Sequence, residues 1–337
     1  MAIFKKPSFA AFPKFFLSLD PISKLVFISL GIASFSLLSF ASWRVLLRLT
    51  APQITIAAGD KRGESYIISD AIAKTIEKHS NIKITVLATG GSKENLGLLQ
   101  QGKVQLATAQ ADIVSEDMDV PSGGNNSLKA SPRTVIVLYK DLFQLVVRNP
   151  NIKQFIQLKG KTIAIPTKGG QYQSFKKVAE YYGLIKEDNQ NSEVEIAGLK
   201  GSFYDDQQAE EDFKFKRVDA LFRVRAVGNK GIANLIQNYD GILVGIEQGD
   251  AMKIKHPAFE TAIIPKGAYK GNPPVPNANL PTVAVPRLFV ANQDVDAKVI
   301  REITQIIFEH KQEIAPICKG GIPELLVSSG LLIVVTK

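Results

Sequence analysis

Residues 53–66 read QITIAAGDKRGESY, and residues 83–95 read KITVLATGGSKEN. Each is a short run rich in β-branched residues that stops at a glycine-bearing loop and passes into a segment with helical spacing. Residues 53–59 are expected as a buried strand. Residues 65–79 follow as a helix with Ile68, Ile72 and Ile76 on one face. A second strand is expected at 83–89, a second helix at 92–101 and a third strand at 104–110. Strands that alternate with helices make parallel sheets with helices packed on their faces, so the fold class is α/β.

The alternation continues along the chain. Residues 134–148 form a long apolar run that leaves this first block. It then restarts, with strands at 161–167, 193–199, 218–227 and 241–246 and helices at 171–183, 204–216 and 229–238. Segments 259–264 and 283–292 read as further strands, and 294–313 as a helix. Residues 121–131, rich in Gly, Ser and Asn, are expected as a loop. Two blocks joined by one long extended segment imply two lobes, the first made of residues 51–145 and 251–337, the second of residues 146–250.

Upstream, residues 25–43 carry no charge, close to the roughly 20 residues that a membrane-spanning helix needs. Lys5, Lys6, Lys14 and Lys24 precede this stretch, which favours a cytoplasmic N-terminus. Residues 1–50 are therefore read as a cytoplasmic stub and transmembrane anchor, with the rest of the chain in the periplasm or extracytoplasmic space. A cleaved signal peptide ending at Ser39-Phe40-Ala41 and a buried core helix are the alternatives. The formal charge of the 337-residue chain is +9. Six basic residues against Asp20 place +5 of it in residues 1–50, which leaves +4 for the rest. No dense basic cluster follows, so nucleic acid is not an expected partner. With Cys318 as the lone cysteine, an intramolecular disulfide and a cysteine-only metal site are both excluded. His79, His256 and His310 lie far apart with no second ligand at metal spacing, so no metal is expected.

In open α/β sheets ligands bind beyond the carboxyl ends of the strands. The loops at Gly59–Gly63 and Gly90–Gly91 sit at such ends, each leading into a helix N-terminus. Free N–H groups and the helix dipole there favour an anion. Thr89, Ser92 and Asn95 add donors without charge, and Gln110 and Asp112 stand at the rim of the third strand. Arg223 and Arg225 alternate along their strand, so both face one side, where a guanidinium can clamp a carboxylate. The plainer alternatives are helix caps at Ser65, Ser92 and Asp112, turn glycines, a packing role for Tyr66 and surface ion pairs for the arginines. Lys159-Gly160-Lys161-Thr162 is not a phosphate loop, because Phe155 stands where that motif needs glycine. No catalytic constellation is present, and the acidic run at Glu210-Glu211-Asp212 reads as a solvated helix face.

The stretch 54–112 resembles the TAXI family of TRAP-transporter solute receptors. The resemblance rests on Gly59-x-x-x-Gly63-x-x-Tyr66, on Thr89-Gly90-Gly91-Ser92-x-Glu94-Asn95-Leu96 and on Gln110-x-Asp112. Weaker similarity reaches about residue 315. It implies a type II periplasmic-binding-protein fold, each lobe a mainly parallel sheet flanked by helices. It also implies capture of a small anionic solute, a glutamate-like amino acid or a dicarboxylate or 2-oxoacid, and delivery to TRAP-type permease subunits of the inner membrane. No catalysis or cofactor is implied. The implied contacts are Gly59, Gly63, Tyr66, Thr89, Gly90, Gly91, Ser92, Asn95, Gln110 and Asp112, with Lys168, Gly169 and Gly170 in the second lobe. Lys168 replaces part of a Ser/Gly-rich turn, and Arg223 and Arg225 replace small neutral residues. The tail from about residue 317 departs from the family pattern, and a truncated or frameshifted terminus is the expectation. A tethered sensor without a transport role is the alternative function. A transferase on the same fold would need Cys318, which lies in that tail.

Overall fold

The computed structural model describes residues 20–49, 51–119, 132–166, 169–185 and 206–314. Residues 1–52 and residues 53–337 are separate compact units. In the first, helix α1 (Pro21–Leu49) contains an apolar stretch, Pro21–Trp43, with a mean hydropathy of 2.0 and none of it buried. Its 23 residues rise about 34 Å, enough for the roughly 30 Å hydrocarbon core of a bilayer.

In the second unit, β1 (Gln53–Gly59) pairs in parallel with β2 (Lys83–Ala88) on one side and with β3 (Leu106–Gln110) on the other. Helices α2 (Glu64–His79), α3 (Ser92–Gln100) and α4 (Ala111–Asp119) follow these strands in turn. The spacing of Ile68, Ile72 and Ile76 along α2 buries all three completely. They pack with Ile56, Phe289, Ile303 and Ile307 in one core.

The expected run at 134–148 is a single strand of 16 residues, β4 (Pro132–Val147). It passes a 3₁₀ turn (Phe155–Leu158) and leads to β5 (Ile163–Ala164), far shorter than the seven residues expected there. Next come α5 (Gly170–Tyr181), α6 (Asp206–Lys214), β6 (Ala220–Arg225), α7 (Lys230–Asn238), β7 (Ile242–Val244), α8 (Gly249–Lys255) and β8 (Glu260–Ile264). A two-stranded ribbon of β9 (Lys270–Gly271) and β10 (Pro274–Val275) precedes β11 (Leu280–Asn292). The chain then forms α9 (Ala297–Glu309) and α10 (Lys311–Ile314), two pieces where one helix was expected. The expected strand at 193–199, the loop at 121–131, Lys168 and the tail from 317 lie outside the described residues.

Nine of the eleven described strands form one mixed sheet in the order β2-β1-β3-β11-β4-β6-β5, with β7 added on β4 and β8 on β11. Parallel pairing is confined to β2-β1-β3 and β5-β6; β4 and β11 run antiparallel to each other and to their other neighbours. These two long strands belong to both lobes. In the first, β11 pairs with β3 from Arg287 to Ala291. In the second, β11 pairs with β8 up to Ala284, and β4 pairs with β6 from Leu142 onward. Between these zones lie the pairs Val285–Asp141 and Pro286–Lys140, where β4 and β11 alone carry the ladder. Pro286 has no N–H to give it, and the register slips by a bulge just beyond, at Arg287 and Leu288.

A second core gathers Phe143, Phe155, Phe175, Phe222 and Phe259. Phe175 meets Phe222 edge-on at 5.2 Å, and Phe143 meets Phe259 at 5.2 Å in the same manner. Met252, Phe259, Val283 and Val285, from the stretch 251–337 assigned above to lobe 1, pack in this second core.

Candidate ligand-binding cleft

The carboxyl ends of β1, β2 and β3 in one lobe, and of β5 and β6 in the other, open on one cleft of ≈ 170 Å³. Gly91 is the N-cap of α3 with φ 114° and ψ −161°. Gly169 is the N-cap of α5 with φ 99° and ψ −169°. That region of backbone space is open essentially to glycine alone. The two caps touch: a β-carbon placed on Gly169 would stand 2.7 Å from the Gly90 carbonyl oxygen, and one on Gly91 would stand 3.4 Å from Gly169 Cα. Gly170 leaves no room either, because its β-carbon would collide with Gln110 Oε1. Two helix N-termini, one per lobe, therefore converge on the cleft, each carrying about half a positive charge.

Sequence reasoning places Gly59, Gly63, Thr89, Gly90, Gly91, Ser92, Asn95, Gln110, Gly169, Gly170 and Arg225 at a site, and all eleven line this cleft. Several of their polar groups serve the loops themselves. Gly90 N–H donates to Glu94 Oε2 at 2.7 Å, and Gly91 N–H donates to Thr89 Oγ1 at 3.3 Å. Thr89 Oγ1 donates in turn to Asn95 Oδ1, whose amide donates to the Thr108 carbonyl at 2.8 Å. Ser65 and Ser92 are not N-caps; the caps are Gly63 and Gly91. Ser92 Oγ accepts from Gln110 N–H and from Arg287, both at 3.1 Å.

Tyr66, Asp112 and Arg223 do not line the cleft. Asp112 is buried between the lobes: its Oδ2 accepts from Ser174 at 2.8 Å and from Lys177 at 3.2 Å, while Lys177 also meets Glu116 at 2.8 Å. Arg223 is buried behind the cleft and donates to the Asp206 carbonyl at 2.8 Å.

Glu64, Asp206 and Arg287 are cleft residues that the sequence did not disclose. Arg225 bonds Asp206, and its Nε lies 3.7 Å from Glu64 Oε2, so it joins β6 to the start of α2 across the lobes. Asn229 reaches the same Glu64 at 2.6 Å. Burial alone would push the Asp206 carboxyl up; Arg225 and Arg223 beside it, with the Gln171 amide, hold it well below its ordinary value. Arg287 donates from Nε to Asp141 Oδ2 at 2.7 Å. Burial outweighs the pull of Arg287 on Asp141 and raises that carboxyl to about 6. Both cleft arginines therefore already have carboxylate partners, and Asp60, Glu64 and Asp206 make the lining acidic as well as basic. Such a lining has complementary places for an anionic and a cationic group.

The architecture is that of the two-lobed periplasmic solute-binding proteins. The crystal structure of Tv2483 bound to L-arginine superposes with a TM-score of 0.50 at 11% identity, over 86% of this chain and 98% of that one. A periplasmic binding protein of Salmonella typhimurium with high arginine specificity gives 0.49 at 13% identity, over 81% and 100%. An ancestral arginine-binding protein bound to arginine gives 0.47 at 15% identity, over 79% and 96%. A search of curated proteins found no match. The chain belongs to the NMT1-like family, whose model matches residues 56–321.

Proposed function

We propose that this chain is an extracytoplasmic solute-binding protein of the TAXI type, anchored in the inner membrane by α1. It closes on a small carboxylate solute for a TRAP-type permease. The observation that carries this reading is the convergence of two glycine-capped helix N-termini, one from each lobe, at a cleft lined by Arg225 and Arg287. A carboxylate placed there meets orphan helix N–H groups and neutralises the two positive helix ends. The carboxylates of Glu64 and Asp206 accept an ammonium group, which favours a glutamate-like amino acid over a dicarboxylate or 2-oxoacid. Binding couples to closure because the solute bridges both lobes and stabilises the closed state by its differential affinity. The solved proteins described above as bound to arginine are consistent with an amino acid in a cleft of this kind.

Thermal unfolding of the full chain in detergent tests this against glutamate, glutamine, succinate, 2-oxoglutarate and a series of amines. A solute at about 100 times its dissociation constant adds about 2.7 kcal/mol of stability. Stabilisation by amino acids above that by dicarboxylates supports the reading. Stabilisation by amines without a carboxylate, or by no carboxylate at all, overturns it.

A further inference from the structure

Away from the cleft, His79 comes together at the end of the first lobe with two groups from far along the chain, His310 and Glu313. His79 closes α2, His310 is the C-cap residue of α9, and Glu313 lies in α10. The imidazole rings stack with centroids 3.5 Å apart and planes 12° from parallel. His79 Nε2 and His310 Nδ1 each lie 3.1 Å from the same atom, Glu313 Oε1. One coordinating atom from each residue falls within 4.8 Å of the other two.

We propose that His79, His310 and Glu313 bind a divalent transition metal of the zinc class. A tetrahedral ion with ligand bonds of about 2.0–2.1 Å separates its ligand atoms by roughly 3.3 Å, and both nitrogen-to-oxygen separations here are close to that edge. Binding splays the stacked rings so that both in-plane nitrogen lone pairs meet the ion, which replaces the protons that the imidazoles otherwise direct at Glu313 and leaves a fourth position for water. Lys78 holds the other carboxylate oxygen, Oε2, at 2.8 Å and so orients Oε1 toward the histidines; outer partners of this kind commonly fix the ligands of metal sites. Two helix C-termini end at the cluster, and their negative dipole ends favour a cation. Two imidazoles with one carboxylate suit zinc, nickel or copper and disfavour calcium and magnesium, which take oxygen ligands. His79 and Glu313 are 234 residues apart in sequence, so the metal would staple α10 to α2.

The test is calorimetric titration of ZnCl₂ into the full chain in detergent, purified without a polyhistidine tag and stripped with chelator. The expected result is one equivalent of Zn²⁺. Affinity falls by more than the roughly 10–100-fold typical of losing an outer partner in His79→Asn, His310→Asn and Glu313→Gln. His256→Asn, at a histidine outside the cluster, retains it. Co²⁺ in place of Zn²⁺ gives visible absorption bands that the same three substitutions remove. Binding that survives all three, absence of Zn²⁺ binding by the native chain, or Ca²⁺ binding as tight as Zn²⁺ overturns the proposal.

Discussion

Replacing Gly169 with alanine separates closure of the cleft from stability of the lobes. The new β-carbon would lie 2.7 Å from the Gly90 carbonyl oxygen. That atom belongs to the backbone of the opposite lobe and cannot rotate away. The residue also has φ +99°, a conformation costing a non-glycine residue about 1–3 kcal/mol whether the lobes are open or closed. The collision is different: under the proposed closing mechanism it arises only when Gly90 and Gly169 meet. Taking the usual overpacking cost of about 1–3 kcal/mol, solute affinity should weaken roughly 5- to 150-fold. Gly160→Ala is the control, because Gly160 has φ +72° and nothing within 4 Å of its added carbon. It should lose stability and keep its affinity. Calorimetric titration with the solute that best stabilises the native chain provides the comparison. Gly169→Ala binding within about twofold of the native chain would mean that the bound state does not bring Gly90 and Gly169 together.

Lys177→Met leaves Asp112, whose side chain is 1% exposed beside a lysine that is 10% exposed, with Ser174 as a donor but without the lysine's charge. Breaking a buried pair costs about 3–5 kcal/mol, so solute affinity and unfolding temperature should both fall; an unchanged affinity would show that the pair plays no part in closure. Asp141 has a folded-state pKa of about 6, above its ordinary 3.8, so the native state binds more protons than the unfolded chain between these values. Stability from this group is therefore lost as pH rises through that window, and urea titrations should show the native chain losing ground to Asp141→Asn from about pH 4 to pH 6; a margin that grows with pH would reverse the sign. Phe175→Ala removes a fully buried ring from the second core and should cost about 3–5 kcal/mol in chemical denaturation, while a loss under about 1 kcal/mol would mean that the core collapses around the gap.

What the sequence disclosed about the cleft was local. Gly91 is legible because a glycine-bearing loop between a strand and a helix marks a tight turn at the helix start, whereas Gly169 is reached only through the family resemblance. The core face of α2 is legible because Ile68, Ile72 and Ile76 follow helical spacing. Non-local features were not legible. Arg287 reaches the site only because β11 pairs with β3, placing it opposite Gln110, and no local pattern announces a pairing between strands so far apart. β8 pairs with β11 from Leu280 to Ala284, and no local pattern announces that pairing either. Thr89 and Asn95 carry the right donors for a ligand, but the loop turns them on each other. His79 and His310 have no spacing that betrays them, since their stacking depends on how α9 docks on α2.

The order of strands has a consequence for how the molecule is made. β11 lies between β3 and β4 in the sheet but is the last strand among the described residues. A ribosome delivers β3 and β4 early and must deliver β5 to β10 before the strand that joins them emerges. Until about residue 291 has appeared, the inner edges of β3 and β4 have no partner, and unpaired strand edges are sites of misassembly. The second lobe waits for the same strand, because β8 pairs with β11 and Val283 and Val285 pack in the second core.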